Sequence, residues 1–127
     1  MKTQWAKRVK LFQFVYHWLI TKKNKTIALK SALVDFELDV SWLSVSEYIL
    51  DNCEQLIKMI KPFINKDWTF ERLSYVEQAL LLSAYGEYLV LKTPKKIIID
   101  QTLITTHNYS NDESYKFINA ILDQLLN

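Results

Sequence analysis

The fold class of this chain turns on one run of residues, Thr93-Pro-Lys-Lys-Ile-Ile-Ile-Asp-Gln-Thr-Leu-Ile-Thr-Thr-His107. Its opening, Thr93-Pro94, suits a helix N-cap followed by the first helical position, where the missing proline N–H costs nothing. Its body argues the other way. Ile97, Ile98 and Ile99 and most of residues 102–106 are β-branched, which suits a strand. The residues of this run alone leave helix and strand both open.

The flanking sequence is less divided. On the carboxy-terminal side a helix is expected over about 111–126, with Ser110 and Glu113 as a capping box and Phe117, Ile118, Ile121, Leu122 and Leu125 as its apolar face. On the other side a helix is expected over about 74–91, opened by a second capping box, Ser74 with Glu77. Gly86 inside it costs roughly 1 kcal/mol against alanine, and a close helix approach is the usual reason to accept that. Residues 65–69 are the best linker candidate. Before them, Trp42, Val45, Ile49, Leu56, Ile60 and Phe63 repeat in heptad style, and Pro62 should end or bend that helix. A helix over about 26–38 is expected between a Lys-rich turn and this one. At the amino end, Trp5, Val9, Phe12, Tyr16 and Leu19 form one stripe of a helix over about 3–20.

Composition narrows the chemistry. The 127 residues include one glycine, two prolines, one cysteine and two histidines. A single glycine cannot build a phosphate-cradling loop or a dinucleotide fingerprint, and it argues against a β-sandwich or barrel, which needs many glycine-bearing turns. Cys53 alone forms no internal disulfide, and it cannot make a structural zinc site with His17 and His107. No cofactor, metal or catalytic constellation is expected. No apolar run approaches the roughly 20 residues that span a bilayer, so the chain reads as a cytoplasmic, mostly helical protein.

Charge is unevenly distributed. Residues 1–34 carry eight basic groups and no acid; residues 35–57 carry six acids and no base; the remainder is balanced. Two readings are open: a footprint for a polyanion, or self-complementation, with the basic helix packed beside the acidic one. Fourteen of the sixteen basic residues are lysine, which favours attraction to a nucleic-acid backbone over base readout.

An ordered set of motifs then resembles the NusB family of bacterial antitermination factors. Ser114-Tyr-Lys-Phe-Ile-Asn-Ala-Ile-Leu-Asp123 resembles the family's S-x-K-F-V-N-G-V-L-D element. Trp68-Thr-Phe-Glu-Arg-Leu73 resembles W-x-x-x-R-L, and Val76-Glu-Gln-Ala-Leu-Leu81 resembles V-E/D-x-A-I/V-L. Glu87 falls on the family's Y-E-L glutamate. Arg8, Gln13, Tyr16 and Trp18 follow R-x-x-x-x-Q-x-x-Y-x-W. The resemblance implies an all-helical single domain of six to seven helices in two three-helix halves, about 1–65 and 66–127. It makes the 95–107 segment a helix.

The resemblance also implies a non-enzymatic role. Family members bind boxA RNA together with NusE, a small-subunit ribosomal protein, and help RNA polymerase in an antitermination complex, notably on ribosomal RNA operons. Residue by residue, it implies RNA contact at Arg8, with Lys2, Lys7 and Lys10 as neighbours, and at Phe117, with Glu113 and Lys116 beside it. It implies a NusE-facing role for Tyr16 and Glu77. Each has a plainer reading: Arg8 snorkelling over the core, Phe117 and Tyr16 as core aromatics, Glu77 as a capping carboxylate.

The chain departs from the family pattern at several positions. Trp5 and Ala6 stand where further arginines can occur, Asp100-Gln101 replaces Asn-Glu, Leu82 stands at a frequent arginine, and Ala120 replaces a glycine. A protein-only interaction module with degraded RNA recognition is therefore the alternative function, and a homodimer that buries the RNA surface is a third reading. Trp5, Trp18, Trp42 and Trp68 are expected in the core, as is Cys53. His17 is expected to be exposed, and His107 to close a helix end.

Overall fold

Lys95–Tyr109 is an α-helix, which decides the open question in favour of an all-helical chain. In the computed structural model, which describes residues 3–126, no strand occurs among the described residues. The helices are α1 (Gln4–Thr21), α2 (Lys25–Val34), α3 (Val40–Ile60), α4 (Tyr75–Leu91), α5 (Lys95–Tyr109) and α6 (Asp112–Leu125). Short 3-10 turns, Lys61–Phe63 and Phe70–Arg72, lie in the connection between α3 and α4.

Why α5 is helical despite its β-branched content can be read from its side chains. Thr105 and Thr106 donate their hydroxyls back to the carbonyls of Gln101 and Thr102, one turn earlier, a local use that suits threonine in a helix. Ile98, Thr105 and Thr106 are buried, and α5 packs on α4 and α6. Tertiary burial therefore overrides the strand propensity. The expected cap is shifted: Pro94 is the N-cap residue, with no side-chain cap bond. Thr93 instead donates its hydroxyl to Glu87 Oε2 at 2.8 Å.

α4 is the axis of the molecule. Every residue from Gln78 to Glu87 is buried, as expected of a helix that is apolar on nearly all sides. It packs against α1, α3, α5 and α6, while α2 lies on α3. One continuous apolar cluster joins the first three helices to the last three. Gly86 has its close approach: a Cβ there would lie 2.7 Å from Ile49 Cγ1 and Cδ1 and 3.3 Å from Val45 Cγ1. The scarcity of glycine shows at helix ends, where Lys22 and Lys92 take the left-handed C-cap conformation that glycine usually fills.

Several boundaries correct the expectations. The capping box Ser74–Glu77 is present. The one expected at Ser110–Glu113 is not: Ser110 still caps the end of α5 through its N–H to Thr106 O, and Asn111 caps α6 by accepting from Ser114 N at 2.9 Å. α2 stops at Val34, short of residue 38, and Glu37 takes a left-handed conformation in the turn that follows. α3 is interrupted at Asn52, whose backbone leaves helical geometry while its side-chain amide donates to Tyr48 O. Of the tryptophans expected in the core, Trp42 is buried and Trp18 half-buried, but Trp5 and Trp68 are largely exposed. Cys53 and His17 are half-buried, and burial pushes the Cys53 thiol pKa up, away from reactivity. His107 lies exposed in the last turn of α5, where a cation is favoured.

Candidate functional site

Two groups of candidate residues lie at the two ends of α4. At its carboxy-terminal end, Arg8 Nε on α1 donates to both carboxylate oxygens of Glu87 at 2.9 Å. This pair is mostly dry, with side-chain exposures of 17% and 4%. The guanidinium also lies 5.7 Å from the centre of the Trp42 ring, within cation–π range. One turn of α1 thus touches the start of α3 and the end of α4 through a single side chain.

Lys7 strengthens the same junction. Its ammonium donates to Asp39 Oδ2 at 2.8 Å, and Asp39 Oδ1 accepts from Trp42 N, capping α3. The Lys7 ammonium holds the Asp39 carboxyl below the ordinary aspartate range. Farther along, the Lys25 ammonium pairs with Asp51 and Glu47 on α3, and those two carboxylates raise its pKa, Asp51 more than Glu47. Part of the basic arm is therefore satisfied by the acidic segment, as the self-complementary reading expects. Lys10 has no ion-pair partner among the described residues and is half-buried. Lys2 lies outside the described residues.

The second group sits at the start of α4. Glu77 has two bonds beyond helix geometry: Oε1 accepts from Ser74 N at 3.0 Å, and Oε2 accepts from Ser114 Oγ at 2.9 Å. The capping carboxylate thereby ties the first turn of α4 to the first turn of α6. Beside it opens a groove of about 260 Å³, lined by Asn65, Trp68, Leu73, Glu77, Glu113 and Phe117. Phe117 is partly buried against the core, with Glu113 and Lys116 exposed on the same helical turns. Lys116 has no ion-pair partner among the described residues.

Trp68 belongs to this groove and was missed as a functional candidate, because a tryptophan reads first as core. It is 49% exposed, and Arg72 stacks over it at 5.0 Å. That contact gives a physical meaning to the four-residue Trp–Arg spacing, which was the available signal.

The two groups are not brought together. Glu77 and Glu87 are ten residues apart on one helix, or about 15 Å along its axis. Tyr16 lies apart from both, exposed on α1 with its ring 6.4 Å from Phe12. Phe12 in turn meets Tyr109 edge-on at 5.1 Å, and Tyr109 accepts a hydrogen bond from Gln13. This arrangement offers aromatic surfaces, carboxylates and mobile cations at separate stations. Among the described residues no cluster of His, Cys, Asp or Glu could hold a metal. Nor, among the described residues, is any helix long and apolar enough to cross a membrane.

Comparison with known proteins gives these features a context. The sequence model described as the NusB family matches residues 6–127. The transcription antitermination protein NusB of Staphylococcus epidermidis is 31% identical over 124 residues, covering 93% of this chain and 94% of that protein. Among solved structures, T. maritima NusB superposes with a TM-score of 0.81 at 25% identity, covering 99% of this chain and 92% of that one. The crystal structure of antitermination factors NusB and NusE in complex with dsRNA gives a TM-score of 0.72 at 20% identity, with coverages of 97% and 95%. That last likeness concerns the fold.

Proposed function

The chain belongs to the NusB family, and from that premise we propose that it is an RNA-binding transcription antitermination factor. In this reading it binds boxA-like single-stranded RNA together with NusE, in the cytoplasm, and supports ribosomal RNA transcription as part of a polymerase-bound complex. It binds and tethers; it catalyses nothing. The observation that carries the reading is the near-complete match to the family, with a relative named as a transcription antitermination protein covering 93% of the chain.

The geometry suggests how the labour divides. Phe117, beside the groove and partly exposed, stacks an unpaired base, a contact worth roughly 1–3 kcal/mol. Glu113 accepts from base amino groups, and Lys116 supplies salt-sensitive attraction to phosphate. Lys10, with Lys2 and Lys7, extends the cationic path on α1. Arg8 contributes chiefly by holding that part of α1 on Glu87, and its remaining guanidinium N–H groups add charge to the path. Because the two stations lie at opposite ends of α4, one RNA strand has to extend over several nucleotides to touch both. NusE meets Tyr16 on α1 and the α4 start at Glu77 as two separate contacts.

The rival is a protein-only module whose RNA recognition has decayed. The ion pairs of Lys7 and Lys25 with acids of this same chain favour it. A gel-shift titration with boxA RNA, run at low salt with and without NusE, separates the two. A shift that NusE strengthens supports the factor. NusE binding with no RNA shift in either condition supports the module.

A further inference from the structure

Where α1, α4 and α5 meet, beside the Arg8–Glu87 pair, lies a small cavity of about 20 Å³. Arg8, Ser83, Glu87, Gln101 and Thr105 contribute to its wall, alongside apolar groups such as Leu80 and Phe12. Two of these residues carry buried polar atoms with no hydrogen-bond partner, Ser83 Oγ and Gln101 Oε1. Ser83 is more than nine-tenths buried. Among the other polar groups of the wall, Thr105 Oγ1 donates to the Gln101 carbonyl, Glu87 accepts from Arg8 Nε and Thr93, and Thr102 also contributes to the lining.

Buried polar atoms are nearly always satisfied in native proteins, by protein or by ordered water. A cavity holds water when it has the volume of about one probe sphere and offers two to four polar partners, whereas an apolar cavity stays dry. Both conditions are met here. We propose that one water molecule is bound at this position, bridging Ser83 Oγ on α4 and Gln101 Oε1 on α5 beside the Arg8–Glu87 pair. The water donates one hydrogen to Gln101 Oε1 and shares a second hydrogen bond with Ser83 Oγ. Its remaining capacity faces Arg8 and Glu87. It makes α5 a fourth party to a junction that otherwise joins α1, α3 and α4.

A crystal structure of the full chain that resolves ordered solvent tests this directly. Density is expected about 2.6–3.2 Å from both atoms. An empty cavity, or Gln101 turned to bond Ser83 without solvent, overturns the proposal. In solution, water-selective nuclear Overhauser spectra should give long-lived water signals at the Ser83 and Thr105 amides. These should vanish in the folded Ser83→Ala/Gln101→Leu double variant. Signals absent from the wild type, or unchanged in the double variant, also overturn it.

Discussion

Arg8 and Glu87, 79 positions apart in sequence, are joined by a two-pronged contact in which Arg8 Nε donates to both carboxylate oxygens. Glu87 is almost fully buried, and Arg8 is the cation that faces its carboxylate there. Removing one member of such a pair strands the other and typically costs about 3–5 kcal/mol, whereas replacing both is far milder. Arg8→Ala should lower the urea midpoint of unfolding markedly, and Arg8→Met with Glu87→Leu should recover much of the loss. An Arg8→Ala protein that unfolds at the wild-type midpoint would remove the structural role argued for this pair. Any RNA measurement on Arg8→Ala therefore has to be made where the variant is fully folded.

Gly86 lies where α4 crosses α3. Alanine there gains about 1 kcal/mol of helix propensity but drives its Cβ into Ile49, a fully buried side chain. Overpacking of this kind costs about 1–3 kcal/mol. Gly86→Ala is expected to be destabilised by roughly 1 kcal/mol net, with Ile49→Val partly restoring it. A stabilised Gly86→Ala in thermal unfolding would mean that the helices are less tightly packed than described.

Asp39 gives the acid dependence its sign. Its carboxyl pKa is depressed, first by the Lys7 hydrogen bond and then by the Trp42 N–H. A depressed carboxylate adds stability that is fully present above its unfolded pKa and is lost as pH falls through its folded value. Wild-type stability should therefore drop below about pH 4, and Asp39→Asn should flatten part of that fall. The pair is exposed, so the effect should shrink in high salt. Identical acid limbs for the two proteins would show that the contact does not persist in solution.

Phe117 and Lys116 separate stacking from charge. Phe117→Ala should weaken RNA binding by about 1–3 kcal/mol, some 5- to 150-fold, with little change in salt dependence. Lys116→Ala should weaken it less and reduce the slope of log affinity against log salt by about 0.7, as for one single-strand phosphate contact. Because Phe117 also packs on the core, its melting temperature is the necessary control. Swapped signatures would reverse the two roles.

The sequence yielded the helices more readily than the contacts between them. Amphipathic stripes and the Ser74–Glu77 box are local, and local signals located α1, α3, α4 and α6 well. α5 was undecidable from its own β-branched residues, since what makes it helical is burial against α4 and α6; only the family motifs resolved it. The α6 cap was displaced by one residue because Ser110 was already used to finish α5. Trp5 and Trp68 depart from the core expectation because aromatic character does not distinguish a core ring from a surface ring. The Arg8–Glu87 pair was invisible, since nothing local links residues so far apart. The charge blocks were legible, but only the fold reveals that Lys7 and Lys25 reach across to the acids of the next segment.

The most direct measurement is a titration of the chain, with NusE held constant, against fluorescent boxA RNA and a scrambled RNA of equal length and composition. Tighter binding to boxA than to the scrambled strand, weakened without NusE and on Phe117→Ala, is the expected result. Equal and feeble binding to both strands, by a chain that still binds NusE, would contradict the RNA-binding role.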